Sequence, residues 1–285
     1  QLRVVCIRAL CAAMSNDGFK QPQLNDLRNP MIACFFKALT SRADEIVAVA
    51  RDALEAVIKQ QKLQKELLQT SLRPILLNLA DYRKLSVPLL HGLSRLLSLL
   101  SNFFNLTLGE KLLEHLRRWT DPDALSKTKA FKAGDETKIP AAIVALFHLL
   151  PPAPDRFLDP LVEAVVSLEA ALPSSTSSGR RWSPFREALV PYLSRHAPDT
   201  VSYFVKRIQD GRYFRMLLSI VKCANGQPVR EQLARMAPQL LAHTFDAVVA
   251  PASAARMRFH GVQLVHALVK RMPHWLASHP GGLQK

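Results

Sequence analysis

Two stretches of this sequence share one pattern: LRVVCIRALCAA at residues 2–13 and IVAVARDALEAV at residues 46–57. Small and apolar residues of the first stretch recur 44 positions later in the second, at the spacing i, i+3, i+4 and i+7. The matched pairs are Cys6 with Ala50, Ala9 with Ala53, Leu10 with Leu54, and Ala13 with Val57. This spacing places side chains on one face of an α-helix. Both stretches are therefore predicted to be helices that bury that face.

The segment between the two copies completes a repeating unit. A polar loop is predicted up to Asn29, and a short apolar run, Met31–Leu39, then indicates a helix that opens at Pro30. Units of two helices that return after about 40–47 residues are typical of HEAT and armadillo arrays, whose units stack because none buries its apolar face alone. We predict an all-α, HEAT/armadillo-like helical solenoid of antiparallel helix pairs with a period of about 44.

Composition and local signals organise the chain further. Hydrophobic residues make up 48% of the sequence, enough for a continuous core, and no alternating strand pattern stands out. We predict helical repeats at 1–126, a loop at 127–138, a helical repeat at 139–172, a flexible linker at 173–182 and basic helical repeats at 183–285. The linker contains the small, polar sequence PSSTSSG. The chain opens within a helix and without methionine, so we expect it to be a piece of a longer protein.

Several helix ends are predicted from capping residues. Polar residues that precede apolar helical runs are predicted to cap the helices behind them: Ser86, Thr107, Ser183 and Asp199. Thr107 and Glu110 also form the T-x-x-E pattern of a capping box. One uninterrupted helix is predicted for Pro228–Ala242. The four cysteines form no C-x-x-C pair, and three of them (Cys6, Cys11 and Cys34) are expected inside apolar helix faces, as suits a reducing compartment.

The charge is strongly positive and unevenly distributed. The formal net charge is +15, with 22 Lys and Arg against 18 Asp and Glu in residues 1–173, and 16 against 5 in residues 174–285. A basic half suggests an acidic partner, which could be nucleic acid, an acidic protein segment or an anionic membrane. The alternative is that other parts of a larger assembly balance the charge. The richest apolar run, 87–108, is interrupted by His91, Arg95 and Asn102, so it is not predicted to span a membrane. Of the three acidic partners, we predict a protein segment first, nucleic acid second and no membrane.

Motifs that carry chemistry are absent from the sequence. It has no phosphate-binding glycine loop, no kinase signature and no C-x-x-C zinc pattern. Ser94 falls in the middle of a predicted helix, where a nucleophile could not be presented on a strained turn. Glu114 and His115 are adjacent and point about 100° apart on a helix, which does not suit a metal site. We therefore predict no enzyme activity, no catalytic residue, no metal and no cofactor.

One constellation combines basic and aromatic residues. The candidate residues for binding an acidic partner are Arg180, Arg181, Arg186, Lys206, Arg207, Arg212, Tyr213 and Arg215. Such a mixture can hold an acidic segment by charge and bury its apolar anchors. It also suits the phosphates and stacked bases of nucleic acid. A third reading is that the aromatic rings belong to the solenoid core and the arginines pair with neighbouring parts of the parent protein.

Four stretches, taken in order, resemble one protein family. They are SLRPILLNLADYRKLSVPLLHGLSRLL (71–97), LGEKLLEHLRRW (108–119), AAIVALFHLLPPAP (141–154) and SPFREALVPYLSRHAPDTVSYF (183–204). Together they resemble the HEAT-repeat region of the pseudokinase scaffolds in the phosphatidylinositol-3-kinase-related kinase family. The resemblance covers about residues 60–245.

The resemblance implies a function that composition does not give. It implies a non-catalytic, nuclear scaffold section shared by histone acetyltransferase coactivator complexes, which holds complex subunits and is recruited by acidic transcriptional activators. The kinase-like domain of such a protein would lie outside this segment. Two other functions stay open: a basic HEAT array that binds nucleic acid, and a regulatory solenoid of an active kinase of the same superfamily.

Overall fold

The computed structural model describes residues 1–60, 72–73, 79, 81, 84–100, 104–120, 137–171, 183–246 and 250–278. Every regular element within these ranges is helical. The predicted all-α class is therefore confirmed. Contacts divide the chain into two compact units, Gln1–Pro151 and Pro152–Lys285. The predicted loop at 127–138, except its last two residues, and the predicted linker at 173–182 lie outside the described residues.

The first unit contains six described α-helices. They are α1 (Leu2–Met14), α2 (Asn25–Leu39), α3 (Asp44–Gln60), α4 (Val87–Leu100), α5 (Leu106–Trp119) and α6 (Lys138–Leu146). Helix α3 packs on α1 and α2, α2 packs on α4, and α6 packs on α4 and α5. Gly92 allows the close approach of α4 to the end of α2, because a Cβ atom there would lie 2.6 Å from Thr40 Cγ2. Arg95 Nη1 then donates to the Leu39 carbonyl group over 2.7 Å, which satisfies a free carbonyl at the end of α2.

The second unit contains eight described α-helices. They are α7 (Pro154–Ala171), α8 (Pro184–Arg195), α9 (Ala197–Lys206), α10 (Gly211–Lys222), α11 (Gln227–Arg235), α12 (Ala237–Phe245), α13 (Pro251–Arg271) and α14 (Pro273–Ser278). Helix α8 contacts α7, α9, α10 and α11, while α13 packs on α10 and α12. The buried His260 ring of α13 stacks on Phe214 of α10 with 3.8 Å between ring centroids and hydrogen-bonds to the Ile208 carbonyl group. These contacts fix α13 against the helices that carry the basic residues.

Two predicted caps are wrong. Helix α5 begins after Asn105, whose backbone is already extended at φ −106° and ψ 174°, so Thr107 lies inside the first turn and makes no capping box. Helix α9 begins at Ala197, which places Asp199 in its first turn rather than at the cap. An acidic residue there still interacts favourably with the positive end of the helix dipole. The predicted cap at Ser86 is supported by a 3.4 Å hydrogen bond from Leu89 N to its hydroxyl oxygen.

Two predicted helix boundaries near prolines are wrong. The predicted helix Pro228–Ala242 is two helices separated at Met236, because Pro238 lacks an N–H group and fits only the first turn of a new helix. Helix α2 starts at Asn25 and continues through Pro30, where the sequence predicted a loop and then a helix start. A proline inside a helix removes one i→i−4 hydrogen bond, and α2 tolerates that loss because its buried face continues past Pro30 to Leu39.

The buried face of α1 also differs from the prediction. Cys6 and Ala9 are exposed, and the buried residues of α1 are Val4, Ile7 and Met14. Its partner α3 buries the predicted face in full: Ala50, Ala53, Leu54 and Val57. Helix α1 therefore buries a different face from the predicted one, the face that carries Val4, Ile7 and Met14. The predicted burial of Cys6 is wrong. Cys34 on α2 is exposed as well.

Candidate acidic-partner surface

The predicted basic residues meet carboxylates of their own unit. The described members, here called the basic cluster, lie on α8, α9, the turn after α9, and α10: Arg186, Lys206, Arg207, Arg212, Tyr213 and Arg215. Arg180 and Arg181 lie outside the described residues. Helix α7 presents Asp159, Glu163 and Glu169 to this cluster. Part of the positive charge is therefore neutralised within the second unit.

Arg186 forms the most enclosed of these pairs. Its Nε and Nη2 atoms lie 2.6 Å and 2.8 Å from the two carboxylate oxygens of Glu169, and the side chains are 23% and 16% exposed. Two parallel charge-assisted hydrogen bonds are the strong geometry for an arginine and a carboxylate. Arg186 therefore joins α8 to α7, and its guanidinium group is largely occupied.

Arg207 is held between a carboxylate and an aromatic ring. Its Nη2 atom lies 3.1 Å from Asp159 Oδ1, and its guanidinium carbon lies 3.8 Å from the centroid of the Tyr203 ring. Tyr203 itself is buried, and burial is the main reason that the pKa of its hydroxyl group is raised. The Arg207 side chain is still 37% exposed, so one side of it faces solvent.

Asp210 organises the start of α10. Its carboxylate accepts a 2.8 Å hydrogen bond from the Arg212 backbone N–H and lies 2.8 Å from the Arg212 Nη2 atom. The hydrogen bond from the Arg212 side chain is the main cause that lowers the pKa of Asp210. The Arg212 side chain is nevertheless 61% exposed. This pair is a surface contact and contributes little to stability.

The aromatic rings of the cluster belong to the core. Tyr203, Phe204 and Tyr213 have ring centroids 5.4 to 6.4 Å apart and are at most 7% exposed. The Tyr213 hydroxyl group donates to Glu163, and burial followed by this bond raises the pKa of Tyr213 to about 12. A partner can therefore reach the cations of this surface and not the ring faces. Lys206 and Arg215 are exposed.

Sequence reasoning missed two features around this site. The carboxylates of α7 are 17 to 50 residues from their partners, and only the i, i+4 spacing of Asp159 and Glu163 suggested that they share a helix face. The second feature is the outer face of α13, where Phe259 and Val262 are exposed. No group of three or more His, Cys, Asp or Glu residues in the described ranges could hold a metal ion. None of the described helices is long and apolar enough to cross a membrane.

Comparison with known proteins identifies the family. The family model described as the Tra1 HEAT repeat ring region matches residues 1–285. The chain belongs to the Tra1 HEAT ring family. This membership confirms the predicted HEAT solenoid and the predicted resemblance to the pseudokinase scaffolds.

Curated relatives agree with the Tra1 assignment. The chain is 37% identical over 278 residues to the probable transcription-associated protein 1 of Dictyostelium discoideum, covering 96% of this chain and 6% of that protein. It is 39% identical over 234 residues to the SAGA complex/NuA4 acetyltransferase complex subunit Tra1 of Schizosaccharomyces pombe, covering 81% and 6%. It is 29% identical over 290 residues to the mouse transformation/transcription domain-associated protein, covering 97% and 11%. The chain thus spans 6 to 11% of the length of these relatives.

Proposed function

We propose that this chain is a non-catalytic scaffold section of a nuclear transcription coactivator subunit, which holds subunits of a histone acetyltransferase complex and recruits acidic activators. The observation that carries the proposal is the match of residues 1–285 to the Tra1 HEAT ring region. Two yeast relatives are named as SAGA and NuA4 acetyltransferase complex subunits. A section of the same ring would serve the same kind of assembly.

The basic cluster supports the recruiting part of the proposal. Its exposed cations without a carboxylate partner described above, Lys206 and Arg215, can attract a disordered acidic segment and raise its association rate, while Arg212 is exposed but bound to Asp210. Arg186 and Arg207 are already paired, so they hold the helices in place and contribute less to a partner. Disordered segments lose entropy when they fold on binding, so each contact with a single section is expected to be weak.

Nucleic acid is the second candidate partner. The net charge of +15 favours it, because cations that replace the counterions of phosphates give strong, salt-dependent binding. The burial of three aromatic rings argues against nucleic acid, because buried rings could not stack on unpaired bases. They are Tyr203, Phe204 and Tyr213. The acidic protein segment is therefore the partner we favour.

Fluorescence anisotropy with two labelled ligands tests the proposal. The chain is titrated with an acidic, amphipathic peptide and with a duplex DNA of similar charge, each at about 50 mM and about 300 mM salt. A peptide with the same charge and no apolar residues is the control. We expect the amphipathic peptide to bind at both salt concentrations while the control peptide is lost at the higher one. Equal binding of DNA, with both ligands lost at high salt, would replace the proposal by a general polyanion surface.

A further inference from the structure

The outer face of α13 is unusual for the surface of a helical repeat. One side of this helix is buried against α10 and α12, through residues that include Met257, His260 and Leu264. On the other side Phe259 is 59% exposed and Val262 is 52% exposed. The two residues are three positions apart and therefore share a face. A surface helix normally carries polar side chains there, so exposed aromatic and branched side chains suggest a contact with another molecule.

A third exposed apolar side chain lies alongside α13. Phe245, the last residue of α12, is 44% exposed. Arg258 of α13 donates from Nη2 to the Phe245 carbonyl group over 3.4 Å, and its guanidinium carbon lies 5.8 Å from the Phe245 ring. This arginine holds the end of α12 next to α13. Phe245 is thus an exposed ring beside α13, at Arg258.

The charges around this surface have one sign. In Pro251–Ser278 the cationic side chains are Arg256, Arg258, Lys270 and Arg271, and the segment contains no Asp or Glu. All four side chains are exposed. The basic cluster differs, since carboxylates from α7 occupy much of its charge. Arg258 is engaged with Phe245, whereas Arg256 and Lys270 have no carboxylate on their own helix and favour an acidic ligand on this face.

We infer that the outer face of α13 binds an acidic, amphipathic segment of a partner protein. The apolar side of the segment packs on Phe259 and Val262, and its carboxylates lie near Arg256 and Lys270. Three turns of α13, about 16 Å of helix, separate Ala255 from His266, which matches a short helical peptide. Arg256 lies one turn before Phe259, so an apolar anchor and a cation share this face. The class of partner rests on the proposed function, and the surface itself is new.

The experiment measures peptide affinity for apolar variants of the whole chain. Phe259→Ala and Val262→Ala are combined in one variant, and Leu27→Ala is the matched control. Leu27 is 56% exposed on α2, where Asp26 lies beside it. Loss of an aromatic anchor is expected to weaken binding of the acidic amphipathic peptide by about tenfold or more, while the control stays within about twofold. Far-UV circular dichroism confirms that each variant is folded.

Two charge-reversal variants test whether the cations of α13 contribute to binding. Arg256→Glu and Arg42→Glu change the net charge equally, and both arginines are exposed. The inference predicts that Arg256→Glu weakens binding about tenfold more than Arg42→Glu does. An equal effect of the two would mean that the peptide responds to total charge, and would overturn the inference.

The outcomes separate this inference from the proposed function. If the peptide binds but loses affinity only in a Lys206→Glu, Arg215→Glu variant, the inference is overturned and the proposed function stands. If the wild-type chain does not bind the peptide at all, the inference and the recruiting part of the proposed function are both overturned, while the scaffold part stands. If the Phe259→Ala, Val262→Ala variant instead abolishes self-association seen by sedimentation, and peptide binding is unchanged, the face is a contact with a second copy and the inference fails.

Discussion

The pair between Arg186 and Glu169 offers a direct test of how the basic cluster is built. The two residues are 17 positions apart and join α8 to α7. We expect Glu169→Gln and Arg186→Met, made singly and together, to show strong coupling in the free energy of unfolding. If Arg186 acts mainly by binding Glu169, most of its contribution to the free energy of unfolding disappears once the carboxylate is absent.

The geometry sets the magnitude of that coupling. Exposed ion pairs contribute about 0.2–1 kcal/mol, and hydrogen bonds to charged groups contribute about 1.5–3 kcal/mol. The side chains of this pair are 23% and 16% exposed and share two short hydrogen bonds, so the pair lies between a surface bridge and a buried one. We expect a coupling of about 2 kcal/mol, because the gain from two charge-assisted bonds is reduced by partial desolvation.

Urea denaturation followed by far-UV circular dichroism measures the coupling through a double-mutant cycle. The wild type, both single variants and the double variant are compared at the same ionic strength. The pair Arg212 and Asp210, with the arginine side chain 61% exposed, serves as the matched control, and its coupling should stay below about 1 kcal/mol. A coupling for Arg186 and Glu169 no larger than that of the control would show that this pair does not join α8 to α7.

Three further predictions concern stability. In Gly226→Ala the new Cβ atom would overlap the Ile220 carbonyl oxygen, a backbone atom that cannot move without distorting the end of α10. We expect the free energy of unfolding in urea to fall by about 2–3 kcal/mol. Gly211→Ala, whose Cβ atom would meet only the end of a flexible arginine at 3.4 Å, should change little, and equal losses would contradict the close-contact explanation. Arg230→Met should cost about 2–4 kcal/mol, because this arginine donates to carbonyl groups at and just beyond the end of α10; a loss under about 0.5 kcal/mol would show that water replaces it. The pKa of His115 is lowered in the folded chain, chiefly by burial. As the pH falls, His115 is therefore protonated in the unfolded chain before it is protonated in the folded chain. The melting temperature should accordingly fall as the pH drops through about 6.5. His115→Gln should flatten this pH dependence, and an unchanged slope would assign it to other groups.

The sequence predicted helices well where an apolar stripe was long. Helix α3 follows its i, i+3, i+4 pattern and is buried on the predicted face. Helix ends were less predictable, since a cap depends on the backbone of one residue. Asn105 rather than Thr107 is extended before α5, and nothing in the T-x-x-E motif shows that difference.

The candidate site was predictable in part, for a physical reason. A run of arginines is visible in the sequence, whereas the carboxylates that neutralise them come from α7 and depend on how the helices pack. Tyr213 was a candidate for contact with a partner, yet packing turns its ring inward and its hydroxyl group onto Glu163. The exposure of Phe259 was not predictable from the sequence either, because an apolar residue in a helix is expected to be buried when its neighbours are unknown.

Hydrogen–deuterium exchange of the chain with and without saturating acidic amphipathic peptide shows which helices the peptide covers. We expect the unit Pro152–Lys285 to hold the peptide on an exposed, cationic helix surface. Amide exchange should then slow in Pro251–Arg271 on peptide binding, with α1, α2 and α3 unchanged. Protection confined to residues 1–151, or no change at saturating peptide, would contradict this expectation.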